Sequence, residues 1–147
     1  MNNYRRLLVA TDFSALGNHA VYVAHSQAWP NDSQLVICHV LTEESRQWLL
    51  SHPNPRKRNE VELAHLFMRG LIRADEVKPG IKVVTRVVRG KPSDCIIELA
   101  HEVQAELIVM GTHGRDGIER LMLGSVAELV IRKASCSVLI VRREQGT

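Results

Sequence analysis

Five short apolar runs recur along the chain and are separated by segments of helical period. The runs are rich in Leu, Val and Ile, and most of them lack the polar–apolar alternation of a strand with one wet face. We interpret the first two, Leu7–Ala10 and Leu35–Leu41, as strands buried on both faces. The other three are also predicted to be strands: Val83–Val88, Leu107–Met110 and Val138–Val141. Strands that alternate with helices predict an α/β fold, a single open five-stranded parallel sheet with helices on both faces.

Four helices are predicted between these strands. Ser14 is a good N-cap for the first, and Pro92 lies in the first turn of the third, where proline is favoured. The second is predicted from about Glu60 to Glu76 and the fourth from about Ser125 to Lys133. Apolar residues at helical spacing give three of them an inner face: Ala20, Val21, Ala24 and Ala28; Ala64, Phe67, Met68 and Leu71; Ile96, Leu99, Ala100 and Val103.

Length and composition indicate one domain, residues 1–147, with an aliphatic core. Hydrophobic residues make up 45% of the chain but aromatic residues only 4%. The net charge of +3 is spread along the chain, which favours an anionic ligand weakly and argues against a nucleic-acid-binding protein. Three widely separated cysteines suggest neither a disulfide framework nor a zinc site, and no apolar stretch is long enough for a membrane span. We therefore expect a cytoplasmic protein.

A glycine-rich stretch follows the fourth apolar run and leads into the last helix. Its spacing is Gly111, two residues, Gly114, nine residues, then Gly124 and Ser125. It is neither a Walker loop nor the dinucleotide fingerprint, because the glycines are spaced differently and no Gly-Lys-Ser/Thr closes it. A strand, a glycine-rich turn and a helix start can present backbone N–H groups to an anion. The alternative is a loop that only turns the chain.

This spacing resembles the ATP-binding signature of the universal stress protein family. The resemblance covers nearly the whole chain, including Thr11–Ser14 after the first strand, Arg89–Pro92 before the third helix and Cys136–Arg142 at the end. Two departures are Ala10 and Ser137, where many members of that family carry proline. In the signature, the resemblance implies ribose and phosphate contacts from Gly111, Gly114, Gly124 and Ser125.

The fold that the resemblance implies is Rossmann-like, of the adenine nucleotide alpha-hydrolase type, with strand order 3-2-1-4-5. Alternation of strands and helices alone would also allow 2-1-3-4-5. In the first order, Thr11–Asp12 and Gly111–Thr112 end neighbouring strands at the crevice where ligands bind in open α/β sheets.

The chemistry of these strand ends suits a nucleotide. Ala10 and Val40 are apolar and could flank an adenine, while Asp12 could accept from a ribose hydroxyl or help to hold Mg²⁺. An aspartate after a strand is also typical of a turn or a cap. His113, Arg115 and Arg120 could add charge at the rim. The predicted nucleotide-binding residues are Ala10, Thr11, Asp12, Val40, Met110, Gly111, His113, Gly114, Arg115, Gly124, Ser125 and Val126.

The resemblance implies an ATP-binding regulatory module of the stress response and a homodimer; Mg²⁺ is a further expected ligand because of the Asp12 carboxylate. We identify no catalytic residue; the alternative on this fold is a slow ATPase or a nucleotidyl-transferring enzyme. The last strand, Ser137 to Arg143, would be an apolar sheet edge that a second copy could cover. The protein partner and the stress signal are not encoded in any motif that we recognise.

The segment from Thr42 to Asn59 has no clear period. It combines two prolines with a basic run, Arg56–Arg58, and we predict a long loop with about one helical turn. Its basic part, Arg46 to Arg58, is predicted to be mobile and to lie near the open end of the pocket.

Overall fold

The computed structural model describes residues 4–112 and 123–142. Its sheet has five parallel strands in the order β3-β2-β1-β4-β5, which confirms the 3-2-1-4-5 order. Each predicted strand is present, with ends that differ by no more than two residues. The strands are β1 Arg6–Ala10, β2 Ser33–Leu41, β3 Ile81–Arg89, β4 Leu107–Gly111 and β5 Ser137–Val141.

The helices cover both faces of this sheet. Within the described residues, no helix is long and apolar enough to cross a bilayer. The apolar residues of α1, α2 and α3 pack on one face of the sheet, and those of α4 and α5 pack on the other. The helices are α1 Ala15–Gln27, α2 Glu43–Leu50, α3 Glu60–Arg69, α4 Pro92–Glu102 and α5 Ser125–Lys133.

Alternate residues of the central strands enter two separate cores. Leu7 and Val9 of β1 belong to the core under α1 and α3, whereas Leu8 points to the core under α4 and α5. All three are at most 1% exposed. Burial on both faces explains why these strands are continuous apolar runs in the sequence.

The segment predicted as a long loop contains a helix, so that prediction is wrong over Glu43–Leu50. A capping box starts the helix, because the Ser45 N–H donates to Thr42 Oγ1 and the Thr42 N–H donates to Ser45 Oγ. Leu49 is fully buried in the core of the α1–α3 face. The usual glutamate or glutamine of a capping box is replaced here by serine, which hides the signal in the sequence.

The basic run after α2 forms a hydrogen-bonded turn. Asn54 accepts from the Arg58 N–H and donates to the Arg58 carbonyl, at 2.9 and 2.7 Å. Arg46, which we assigned to the mobile basic loop, lies in α2 and pairs with Glu43 and Glu60. Arg89, the last residue of β3, also pairs with Glu60. These contacts tie α2, α3 and β3 together and contradict the assignment of Arg46 to a loop.

The second predicted helix also ends earlier than expected. Helix α3 stops at Arg69 with Gly70 as its C-cap, and Ala74–Glu76 form a separate 3-10 turn. Glycine is a poor helix former, but Leu71, at helical spacing from Phe67 and Met68, had extended the predicted apolar face beyond it.

A buried histidine joins the end of α1 to the start of β3. The Nε2 atom of His25 accepts a hydrogen bond from the Lys78 N–H at 3.2 Å, which requires the neutral ring. Burial lowers the pKa of His25 below its ordinary value of 6.5; the charge of Lys78 lowers it further, and Glu76 opposes this shift. In the pH window between the folded pKa and 6.5, the unfolded chain therefore binds more protons than the folded one.

We expect the free energy of unfolding to fall as the pH decreases below about 6.5, the ordinary histidine value. His25→Gln keeps an acceptor for the Lys78 N–H but cannot titrate, so the variant should lose part of this pH dependence. Urea unfolding of both proteins between pH 5 and pH 8 measures the difference. Identical pH profiles would show that His25 does not contribute.

Candidate functional site at the carboxyl edge of the sheet

The carboxyl ends of β1 and β4 lie side by side in the middle of the sheet. Val9 is in register with Val109, so Ala10 and Met110 follow at the same level. From this point β2 and β3 continue the sheet on one side and β5 on the other. This is the topological switch point at which open α/β sheets bind ligands.

The turn after β1 is held by its own side chains. The Thr11 N–H donates to the Cys38 carbonyl at 3.0 Å. The Thr11 hydroxyl accepts from the Phe13 N–H at 3.0 Å and donates to Asn18 Oδ1 at 2.9 Å. Asp12 Oδ1 accepts from both the N–H and the hydroxyl of Ser14. Asp12 thus has the local role expected of a turn residue, and its half-buried carboxylate lies at the carboxyl edge of the sheet.

Phe13 has a backbone φ of +66°, an unfavourable value for a bulky residue. Its ring is 7% exposed and packs among aromatic rings that come from three other elements. The ring centroids lie 4.4 Å from His39, 5.5 Å from Trp48 and 5.9 Å from Phe67. This packing stabilises a turn conformation that the backbone alone would avoid.

The first turn of α1 approaches the β1–α1 turn closely. Ser14 is the N-cap, as predicted, and its hydroxyl accepts from the Gly17 N–H at 3.0 Å. A Cβ atom on Gly17 would lie 2.7 Å from Asp12 Oδ1 and 2.9 Å from Thr11 Oγ1. Only glycine therefore fits at this position without moving those two side chains.

The second wall of the site is built by the two ends of the glycine-rich stretch. The Thr112 N–H donates to the Val141 carbonyl at 3.0 Å, and the Thr112 carbonyl accepts from the Gly124 N–H at 2.6 Å. The start of α5 is therefore fixed against the end of β4. The N-cap is Gly124, which has no side chain with which to cap the helix, whereas Ser125 is exposed and is the first helical residue.

The predicted apolar residues lie on one face of the sheet. Ala10, Val40 and Met110 all contact the core under α4 and α5, and Val126 packs against the same core from α5. Val40 and Met110 are buried, and Ala10 is half-buried. Gly111 is a buried strand residue of β4. Of the other predicted residues, His113, Gly114 and Arg115, together with Arg120 at the predicted rim, lie outside the described residues.

Several residues that shape this edge were not predicted from the sequence. The turn is supported by contacts of Gly17, Asn18 and Ser45 that no local sequence motif predicts. His39 is a polar residue within an apolar strand, and this interruption is the signal that could have identified it. It is 1% exposed and bonds to the Thr11 carbonyl.

Comparison with known proteins gives one family for nearly the whole chain. The sequence profile of the Universal stress protein family matches residues 3–142. Universal stress protein MJ0531 of Methanocaldococcus jannaschii is 50% identical over 64 residues, which are 44% of this chain and 38% of that protein. The aligned part therefore spans less than half of that relative.

Solved structures share the fold. The structure of MJ0577, which was used to assign that protein's biochemical function, is 28% identical and gives a TM-score of 0.78. The alignment covers 97% of this chain and 99% of that one. A universal stress protein in complex with cAMP is 27% identical with a TM-score of 0.64, over 95% of this chain and 97% of that one.

Gly17→Ala should destabilise the protein by about 1–3 kcal/mol, because the added methyl group displaces Asp12 and Thr11. Alanine in a helix is normally more stable than glycine by about 1 kcal/mol, so the sign of the effect is diagnostic. Gly70→Ala is the matched control, since its Cβ would meet nothing nearer than the Phe67 carbonyl at 3.6 Å. Urea unfolding measures both variants; a Gly17→Ala protein as stable as Gly70→Ala would contradict the close packing.

Proposed function

This chain belongs to the universal stress protein family, and we propose that it binds ATP at the carboxyl edge of its sheet and acts as a nucleotide-binding regulatory module in the stress response. The proposal depends most on one observation, the hydrogen bond from the Gly124 N–H to the Thr112 carbonyl. It holds the N-terminus of α5 next to the strand ends that carry Thr11 and Asp12. A helix N-terminus favours negative charge, and phosphate groups supply it.

The residues present fit such a ligand. Gly124 provides no side-chain cap for α5, so nothing from the N-cap covers the end of the helix. Ser125 is exposed at the first helical position, where a hydroxyl can donate to a phosphate oxygen. Ala10, Val40 and Met110 offer an apolar wall on the α4–α5 face. A family member with 27% identity is described in complex with cAMP, an adenine nucleotide, and this supports the class of ligand.

Magnesium would enter this site with the nucleotide. Mg²⁺ is commonly held by one or two carboxylates together with phosphate oxygens. Asp12 is the carboxylate in the right place, and its orientation is fixed because Oδ1 accepts from the N–H and hydroxyl of Ser14. Among the described residues, no three His, Cys, Asp or Glu side chains cluster as a metal site, so a metal would depend on the nucleotide phosphates.

We propose that the protein works as a homodimer through β5. The two sheet edges differ in charge: β3 carries Lys82, Arg86 and Arg89, whereas β5 carries no charged residue from Ser137 to Val141. Charged side chains protect an exposed edge from pairing, and an uncharged apolar edge favours it. Arg143, the end of the interface predicted from the sequence, lies outside the described residues.

The cytoplasm is the compartment that we propose for this module. Cys38, Cys95 and Cys136 are free thiols, as is usual in a reducing compartment. Burial raises the pKa of Cys38 to about 12, so this thiol stays protonated and behaves as a core residue.

Gly124→Val should abolish ATP binding, while Ser125→Ala should weaken it roughly ten-fold, the effect of one lost hydroxyl contact. At ~100 times the dissociation constant, ATP should stabilise the wild type by about 2.7 kcal/mol, a melting shift of several degrees. The shift should be smaller in Ser125→Ala and absent in Gly124→Val.

The backbone of Gly124 has φ −65° and ψ 156°, which valine adopts without left-handed strain. Gly70→Val, at the end of α3, is the control and should keep the full shift. If folded Gly124→Val shifts like the wild type, the end of α5 does not bind phosphate and the proposal fails.

Ile140→Pro should convert the proposed dimer into a monomer. The Val141 carbonyl bonds to β4 through the Thr112 N–H, so the alternation of a strand turns the Ile140 N–H toward the open edge. Proline removes that donor and leaves the β4–β5 ladder in place. Leu139→Pro or Val141→Pro would instead remove donors that face β4.

The control for this test is Val87→Pro on the other edge of the sheet. The Gly80 carbonyl accepts from the Ser33 N–H of β2, so Val87 faces the open side of β3 by the same alternation. Mass in solution, measured by light scattering, should fall by half for Ile140→Pro and stay unchanged for Val87→Pro. An unchanged mass for folded Ile140→Pro would exclude β5 as the interface.

A further inference from the structure

The buried imidazole of His39 connects the β1–α1 turn to helix α2. His39 is 1% exposed and lies 28 residues from Thr11, its hydrogen-bond partner in the turn. Its Nδ1 atom lies 2.8 Å from the Thr11 carbonyl oxygen, and its Nε2 atom lies 3.0 Å from Ser45 Oγ. One side chain thus contacts two elements that have no strand pairing with each other.

The hydrogen bond to Thr11 fixes the role of one ring nitrogen. A carbonyl oxygen can only accept, so Nδ1 carries the hydrogen and donates to Thr11. In the neutral ring Nε2 is then an acceptor for the Ser45 hydroxyl, which also lies 3.2 Å from the Thr42 carbonyl oxygen. The same hydroxyl accepts from the Thr42 N–H at 2.9 Å, so His39 is bonded to the capping box that starts α2.

The carbonyl that His39 holds is at the point where the chain leaves the sheet. The Thr11 N–H still pairs with the Cys38 carbonyl of β2, and the next residue is Asp12. The imidazole also contacts the turn through its face, because the Phe13 ring lies 4.4 Å away with an interplanar angle of 32°. A hydrogen bond and a ring contact from one residue therefore fix both sides of Asp12.

We propose that His39 is a positioning residue for the nucleotide site: it donates to the Thr11 carbonyl and so holds the turn in the conformation that presents Asp12 to the ligand. This inference rests on the proposed function. In this proposal the Nδ1–H bond holds the turn in its binding conformation. The Nε2 bond only anchors the ring to α2. If His39 only filled the core, it would contribute stability, and losing the Nδ1 bond or the Nε2 bond would affect the turn equally.

Two conservative variants separate the two bonds. The side-chain amide of asparagine reaches the position of Nδ1, and that of glutamine reaches the position of Nε2. His39→Asn can therefore still donate to Thr11, whereas His39→Gln can still accept from Ser45. We expect His39→Gln to bind ATP roughly ten-fold more weakly than His39→Asn, as one lost hydrogen bond at the turn would produce.

Amide hydrogen exchange in the free protein supplies a readout that does not depend on ATP. The Phe13 N–H bonds to Thr11 Oγ1 and the Ser14 N–H to Asp12 Oδ1, so both report on the turn. Their exchange should be faster in His39→Gln than in His39→Asn. His65→Gln is the stability control, because the bond of His65 to Thr85 joins α3 to β3 rather than to the turn.

The experiment thus combines ATP titration, amide exchange and urea unfolding of the four proteins. Equal ATP affinity and equal amide exchange at Phe13 and Ser14 in the two His39 variants would overturn the proposal. It would also be overturned if the losses of ATP affinity and of amide protection in all three variants simply followed their losses of stability. If the wild type does not bind ATP, the proposed function fails, and the exchange rates still decide whether His39 positions the turn.

Should neither His39 variant fold, Ser45→Ala is the milder test. It leaves the imidazole and its bond to Thr11 in place but removes the anchor at Nε2. A loosened ring should speed the exchange of the Phe13 amide and weaken ATP binding by less than ten-fold. Wild-type exchange and affinity in Ser45→Ala would count against a positioning role for the ring.

Discussion

Strand β1 pairs in parallel with both β2 and β4, and this central position fixes where the candidate site lies. At the end of β1 and β4 the chain leaves the ladder, so backbone groups there need partners other than a strand. The Thr11 carbonyl finds the imidazole of His39, and the Thr112 carbonyl finds the Gly124 N–H. The candidate site thus lies between two contacts that replace sheet hydrogen bonds at the switch point, one after β1 and one after β4.

The alternation of strands and helices was predictable because its signals are local, whereas the strand order came from the family resemblance. A strand buried on both faces must be a continuous apolar run, and a helix on a sheet must repeat its apolar residues at helical spacing. Helix α2 escaped prediction because it is short, its capping box lacks an acidic residue, and Trp48 to Leu50 show no period. Its stability comes from tertiary packing, in which Trp48 stacks on Phe13 and Leu49 is buried, and such packing leaves no pattern in a short segment.

The site was predictable in part for the same reason. Asp12 and Gly124 follow or precede recognisable elements, and the strand order implied by the resemblance brings their segments to one edge. The contacts of Gly17 and His39 depend on distances between elements, which no spacing in the sequence encodes. The glycine is needed because the Thr11 and Asp12 side chains occupy the space of a Cβ, and the histidine is bonded to Thr11, in the turn that follows a neighbouring strand.

The strained backbone of Phe13 explains why so many contacts are needed around the β1–α1 turn. A bulky residue at a φ of +66° costs of order 1–3 kcal/mol, which the surrounding contacts must offset. Here the ring contacts with His39 and Trp48, the hydrogen bond that the Phe13 N–H donates to the Thr11 hydroxyl and the tight approach of Gly17 all favour the same turn. A turn that is already ordered loses little conformational entropy when a ligand binds, so more of the contact energy appears as affinity. Strain held by three separate elements is therefore what we expect of a turn shaped for binding, because a turn that only reversed the chain could relax.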